Sequence, residues 1–400
     1  MDADTLLSKV SDRSPAGIDI YWLFGRLDDE SLSMTEITEQ TSVARSTAER
    51  TINQFIEASL IIKKERECSL TPVGMVVFRE ITRTATVMGE DDAVHQGLEQ
   101  ISYLCGSEYR TGLLQAFVGI PRSTSEARKH WGVPKSTASR IVSELEERGW
   151  IVSDDGQYRS TQEGEAVLHS CARLRRYVTA VLERAPFFLR YGDRSVNFPL
   201  DGLENTHLAV SDAKSPQETL DALVELTSVN DVYRGDATLE RIRAVCPIFS
   251  QGVFDIFEPL VDHGTEIEII YDLESIDELT EEGNSHYLSV NVVAPNVTFR
   301  VYPEELTIGF GTYDNAAMLA GYTEEYPYDA GLTTDDQSIV DWTNAEFDRF
   351  LAESESPKPY VADAIEAYLP GVDFSTSLDS DTQLSLPPMF GDQDPDDLSE

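Results

Sequence analysis

A stretch of the chain occurs twice at a constant offset of ninety residues, with no gap. The second copy, from Val133 to Val152, reads V-P-K-S-T-A-S-R-I-V-S-E-L-E-E-R-G-W-I-V. The first, from Val43 to Ile62, reads V-A-R-S-T-A-E-R-T-I-N-Q-F-I-E-A-S-L-I-I. Arg45 aligns with Lys135, and Ser46, Thr47, Ala48 and Arg50 align with Ser136, Thr137, Ala138 and Arg140. Leu23 and Leu113, Thr71 and Thr161, and Gly74 and Gly164 keep the same offset. Matches spread this widely at one offset mean a repeated module, so the N-terminal half must be one small unit built twice.

The residues of each copy prescribe the unit. In the second, Gly132, Val133 and Pro134 make a turn. Ala138, Ile141, Val142 and Leu145 follow at spacings of three and four, the apolar face of a helix. Lys135, Ser136, Thr137, Ser139, Arg140 and Ser143 fall on the opposite face. Gly149 ends the helix, because glycine alone takes positive φ without cost. Trp150-Ile151-Val152 then reads as a strand. Upstream, Ser33 and Ser123 each precede a glutamate by three residues (Glu36, Glu126), the signature of a capped helix start. Downstream, Asp154-Asp155-Gly156 is a hairpin turn between residues 150–153 and 157–160. In the first copy strands at 60–62 and 68–70 flank a tip with Lys63, Lys64 and Arg66. Helix, turn, recognition helix and β-hairpin make a winged helix-turn-helix.

Charge divides the chain. The net charge is −41, with 31 Lys and Arg against 72 Asp and Glu. Residues 201–400 hold 7 basic and 43 acidic groups, whereas residues 1–200 hold 24 and 29. The basic groups therefore sit with the repeated module, as expected of a DNA-binding half joined to a half that stays off DNA. Few lysines and many acids resemble proteins of organisms that keep molar salt inside the cell, where the Debye length of roughly 3 Å screens self-repulsion. A hydrophobic fraction of 41% with clear periodicity argues against wholesale disorder.

The rest of the chain is expected as follows. Residues 1–13 are a polar lead-in. The two modules span 14–90 and 106–172, with a short helix near 93–104 between them. A long helix over about 162–190, the connector at 162–192, carries Val167, Cys171, Leu174, Val178, Val181 and Ala185 at heptad-like spacing. It reads equally as a dimer seam or as a stripe packed on its own module. Residues 192–236 give little pattern beyond a strand at 207–210. An α/β domain over 200–370 follows, a mixed sheet with helices on it. It has strands at 241–248 and 266–271, helices around 254–261 and 273–279, and strands at 287–293, 297–301, 306–310 and 316–322, mostly antiparallel. A closing helix spans 334–352 and one more 361–369. Residues 375–400 read as an acidic disordered tail. The fold class is α+β.

Chemistry other than binding finds little support. Cys68, Cys105, Cys171 and Cys246 are far apart in sequence, so zinc-type spacing is absent. There is no nucleophile elbow, phosphate-binding loop or paired histidine motif, and His207, His263 and His286 are scattered. No enzyme activity, metal or cofactor is expected. With no signal peptide and no apolar run of membrane length, a cytoplasmic location is expected.

The two modules resemble the winged helix-turn-helix of archaeal transcription regulators. Residues 240–352 resemble the effector domain of the methanogenesis (filamentation) regulator family. That likeness rests on a strand-helix-strand opening, on G-F-G-T-Y-D-N-A-A-M-L-A-G-Y (Gly309 to Tyr322) and on D-D-Q-S-I-V-D-W-T-N-A-E-F-D-R-F (Asp335 to Phe350). Asp335 and Trp342 fit the family pattern. Thr343 stands where glycine is frequent, and this chain has two winged helices where one is usual.

The resemblance and the residues together imply a sequence-specific DNA-binding transcription regulator, with double-stranded DNA as partner and a homodimer as the expected assembly. The expected contacts are Lys135, Ser136, Thr137, Ser139, Arg140 and Arg159 in module two, and Arg45, Ser46, Thr47, Arg50, Lys63 and Lys64 in module one. The C-terminal domain is expected to sense a small-molecule effector or to drive assembly, with Tyr302, Phe310, Tyr313 and Tyr322 as candidate ligand contacts. The alternative is a protein-interaction adaptor whose winged helices bind transcription or repair machinery.

Overall fold

The computed structural model describes residues 1–10, 18–41, 43–89, 94–192, 197–211, 214–215, 218–227, 229–234, 238–321 and 329–368. Two compact units result, Met1–Thr206 and His207–Glu400. The fold is α+β. The expected tail at 375–400 lies outside the described residues.

Unit one opens with α1 (Ala3–Leu7). This corrects the expectation of a polar lead-in, because Leu6 and Leu7 are fully buried. Module one follows as α2 (Ile20–Asp29), β1 (Leu32–Ser33), α3 (Met34–Thr41), α4 (Arg45–Glu57), β2 (Ile61–Lys64), β3 (Glu67–Leu70) and α5 (Pro72–Met88). After α6 (Val94–Cys105), module two repeats the order as α7 (Glu108–Ala116), α8 (Thr124–His130), α9 (Lys135–Glu147), β4 (Ile151–Asp154), β5 (Gln157–Ser160) and α10 (Gln162–Glu183). Where module one has β1 paired with β3, module two keeps a single bridge between Arg122 and Tyr158.

The repeated Thr-x-x-Gly has a physical cause. Thr71 Oγ1 donates to Ser59 O at 2.5 Å and accepts from Gly74 N at 3.0 Å; Thr161 does the same with Gly149 O at 2.7 Å and Gly164 N at 3.1 Å. Each threonine thus caps the closing helix and ties it to the end of the recognition helix. Each glycine lets that helix touch the hairpin. A Cβ on Gly74 would stand 2.2 Å from Leu60 O, and one on Gly164 2.1 Å from Trp150 O.

The helix expected over 162–190 breaks. Arg184 ends α10, and α11 (Ala185–Tyr191) starts anew with Pro186 in its first turn, where the missing N–H costs nothing. Arg184 is buried; it donates to Thr206 Oγ1 at 2.6 Å, Thr206 O at 2.9 Å and Glu204 O at 3.1 Å. The heptad-like seam is buried inside the unit, where α10 packs on α5, α6 and α1. Its dimer reading is therefore corrected: Val167, Cys171, Leu174, Val178, Val181 and Ala185 are spent on the unit's own core.

Unit two is a seven-stranded mixed sheet. In chain order it has β6 (His207–Val210), α12 (Glu218–Thr227), α13 (Val229–Arg234), β7 (Arg241–Cys246), α14 (Gln251–Asp262), β8 (Glu266–Asp272), α15 (Leu273–Leu279), α16 (Ser285–Val293) and β9 (Val297–Tyr302). It ends with β10 (Gly309–Tyr313), β11 (Ala316–Gly321), β12 (Ala330–Thr334), α17 (Gln337–Glu353) and α18 (Lys358–Tyr368). The strand order is β6-β12-β11-β10-β7-β8-β9, with β7, β8 and β9 parallel and the other pairs antiparallel.

Five expectations change here. The strand at 287–293 is the helix α16. Two parallel neighbours need a crossover over the sheet face, and α16 completes the one between β8 and β9, burying Leu288 and Val292 one turn apart. The strand expected at 306–310 is β10, three residues later. The helices α12 and α13 occupy the stretch that gave no pattern, and β12 was hidden in Ala-Gly-Leu-Thr-Thr. The closing helix begins at Gln337, capped by Asp336, whose carboxylate accepts from Ser338 N at 3.0 Å.

Candidate nucleic-acid interface

Both helix-turn-helix units are set by paired capping boxes. Ser123 N donates to Glu126 Oε2 at 2.9 Å and Glu126 N to Ser123 Oγ at 3.3 Å; Ser33 and Glu36 do the same at 2.8 and 3.3 Å. The serine bonds hold both glutamate carboxyls below their ordinary range. Between α8 and α9 the chain turns through Gly132, at φ +63°. In module one the matching Ser42 lies outside the described residues.

The helices α4 and α9 are docked by their apolar faces. Ala138, Ile141, Val142 and Leu145 are buried in module two, and Ala48, Ile52 and Phe55 in module one. Phe24 meets Phe55 edge-on at 5.5 Å between centroids. Trp150, fully buried at the start of the wing, closes module two; filling a site with such a side chain contributes roughly 3 kcal/mol. This docking leaves the polar faces outward. Lys135, Ser136, Ser139 and Arg140 are exposed with Thr137 half-buried, and Arg45, Ser46 and Arg50 are exposed with Thr47 half-buried. Each set therefore lies together on the solvent side of the first turns of its helix. Lys63 and Lys64 on β2 and Arg159 on β5 are exposed on the wings.

The cations differ in their freedom. Arg45 pairs with Glu49 at 2.9 Å, and Arg140 with Glu144 at 3.2 Å, both one turn along their own helix. Such exposed pairs contribute about 0–1 kcal/mol, so a phosphate or base can compete for the guanidinium. Lys135, Arg50, Lys63, Lys64 and Arg159 have no ion pair among the described residues. The wing tips also differ: Lys63, Lys64 and Arg66 surround Glu65 in module one, whereas Asp154 and Asp155 form the tip in module two.

One supporting group escaped the sequence reading. Tyr103, on α6, donates its hydroxyl to Glu144 Oε2 at 2.8 Å. The Arg110 and Arg148 guanidiniums lie over its ring at 4.3 and 4.1 Å. Burial, then the bond to Glu144, pushes the Tyr103 hydroxyl well above its ordinary range, so it stays a donor. A lone tyrosine between two modules carries no signal in sequence; only packing reveals it.

Of the four aromatics expected to line a ligand pocket, Phe310 and Tyr313 line one cavity, and Tyr302 does not line it. Tyr302 meets Phe350 of α17 at 5.0 Å and donates to Glu353 Oε2 at 3.0 Å, and Phe310 meets the same Phe350 at 5.7 Å. Tyr313 instead stacks on Phe257 of α14, centroids 6.3 Å apart. Tyr322 lies outside the described residues. Alternation along the strands turns the Tyr302 and Phe310 rings toward Phe350 and the Tyr313 ring toward Phe257. All four cysteines are free and buried; the thiols of Cys171 and Cys105 are hydrogen-bonded, and that contact together with burial pushes the Cys171 thiol up. Among the described residues no group of acidic, histidine and cysteine side chains could hold a metal, and no helix is long and apolar enough to cross a membrane.

Comparison with known proteins accords with this architecture. The family described as HVO_A0261 N-terminal domain matches the chain twice, over residues 21–93 and 98–183. The family described as methanogenesis regulatory protein FilR1, middle domain, matches residues 227–353. No curated protein matches the chain. Among solved structures, the archaeal chromatin protein TrmBL2, whose structure is described as showing a novel mode of DNA binding, is 12% identical. The match covers 69% of this chain and 99% of that one with a TM-score of 0.29. One family is thus matched twice in the N-terminal half of the chain, and a FilR1-type middle domain is matched in its C-terminal half.

Proposed function

We propose that the chain is a sequence-specific DNA-binding transcription regulator that reads duplex DNA with the first turns of α4 and α9. The reading takes α2 to α5 and α7 to α10 as two winged helices. The observation that carries it is the outward face of α9, where Lys135, Ser136, Ser139 and Arg140 are exposed together while the opposite face is buried. In the major groove, Arg140 and Arg50 offer bidentate donors to guanine, and the hydroxyls of Ser136, Thr137, Ser139, Ser46 and Thr47 reach base edges or phosphate. Arg45 and Lys135 open their helices and meet the backbone. Lys63 and Lys64 on the first wing, and Arg159 on the second, hold flanking phosphates.

At molar salt, counterion release contributes little, so affinity rests on base contacts, shape and buried area more than on phosphate. Hydroxyl-rich recognition helices and a lysine-poor chain suit that regime. The C-terminal unit serves as the sensing or assembly domain, and a homodimer, if formed, uses a surface other than the buried seam of α10.

Selection from a random duplex pool by the full chain in molar KCl tests the reading. Enrichment of a defined motif, lost in Arg140→Ala, is the expected result. An unenriched pool, with capture of transcription or repair proteins instead, would favour an adaptor.

A further inference from the structure

The face of the sheet beneath α14 is underfilled. Ala244 and Gly311 are register partners on β7 and β10, and Ala320 follows on β11. None supplies the volume of a core leucine. The resulting void reaches from Leu223 and Met318 past Tyr313 to Cys246 and Phe257, and a second void continues it along Cys246, Phe254 and Tyr271. In this conformation each has room for about one water molecule.

The lining is apolar except for a few atoms that converge. Cys246 and Tyr271 are partners across β7 and β8. Tyr313 is only 6% exposed, and its hydroxyl reaches over Gly311, 3.1 Å from where a Cβ would stand. That hydroxyl makes no hydrogen bond to a described residue, which leaves it available to a ligand. No Asp, Glu, Lys or Arg side chain lines either void. Burial pushes the Cys246 thiol up to about 12, so it too is uncharged.

The wall over the voids can give. Pro259 inside α14 has no N–H to bond the Asp255 carbonyl, so the helix lacks one backbone hydrogen bond beside Phe257. Phe257, stacked on Tyr313, is the side chain that must swing aside to join the voids.

We propose that this cavity under α14 is a ligand site for a small, uncharged, largely aromatic molecule carrying one hydrogen-bonding group, which Tyr313 bonds while Phe257 moves off it. The proposal deepens the regulator reading by giving its sensing unit a site and a ligand class. An apolar cleft with a few convergent polar groups is what such ligands occupy.

The test titrates phenol, a neutral ring with one hydroxyl, into the full chain labelled at its methionine methyls in molar KCl. The Met318 methyl is followed, since Met318 lines the void. A saturable shift is expected, abolished in Ala320→Leu, which fills the space, and weakened about fivefold to tenfold in Tyr313→Phe, which keeps the ring and removes the hydroxyl. Duplex binding is scored on separate samples, so that loss of the regulator reading leaves the cavity result standing, and the reverse. No saturable shift in the unmodified chain, or identical saturation in Tyr313→Phe, overturns the proposal.

Discussion

The Tyr103 hydroxyl holds Glu144 at 2.8 Å, and the other oxygen of the same carboxylate holds Arg140 at 3.2 Å. A residue outside both modules thus sets the resting position of a guanidinium proposed to read DNA. Glu144→Gln removes the charge that competes with DNA for Arg140. DNA affinity is expected to rise about twofold to fivefold, with a stability change below about 1 kcal/mol. Arg140→Ala is expected to lose about 1–3 kcal/mol of discrimination at one base pair. Duplex titrations with matched and mismatched sites measure both.

The repeated glycines give a stability prediction. Gly74→Ala and Gly164→Ala each drive a Cβ into a backbone carbonyl that cannot step aside. Each should cost about 1–3 kcal/mol in denaturant unfolding of the full chain, with the recognition-helix side chains untouched. Equal stability to the unmodified chain would mean that the closing helices do not rest on the hairpins.

Acid should loosen the helix-turn-helix starts. The Glu36 and Glu126 carboxyls are held below their ordinary value by Ser33 and Ser123. A depressed folded-state value means that their contribution is present above the unfolded carboxyl range and is lost as pH falls through the folded value. Stability measured from pH 6 down to pH 3 should therefore decline less steeply in the double variant Glu36→Gln, Glu126→Gln. Parallel curves would deny the capping boxes any role.

Salt gives the fourth prediction. A chain with a net charge of −41 repels itself, and screening relieves this. The unfolding temperature should rise between 0.1 and about 2 M KCl. Motif binding should fall far less over the molar range than the log-linear slope of a phosphate-driven complex. A steep loss of affinity there would return the energetics to phosphate contacts.

Legibility followed the range of the interactions. The capping serines, the apolar face of α9, the turn at Gly132 and the hairpin at Asp155-Gly156 are local, so spacing alone revealed them. The alternation of β8 and the face of α14 were equally plain. What stayed hidden depends on partners distant in the chain. Val290, Val292 and Val293 favour a strand by propensity, yet the crossover between parallel strands made them helical. The seam on α10 reads equally as a dimer surface or an internal stripe from spacing alone, and only the packing of α1, α5 and α6 on it decides for the second. Tyr302 and Tyr313 looked like one pocket until the pleat of the sheet sent them to opposite faces. Tyr103 became meaningful only beside Glu144.

Genome-wide occupancy, mapped by crosslinked immunoprecipitation of the full chain and of Arg140→Ala, tests the DNA-reading claim most directly. The expected result is a set of sharp sites sharing one sequence, depleted in the variant. Diffuse signal without a shared sequence, unchanged by Arg140→Ala, would contradict it.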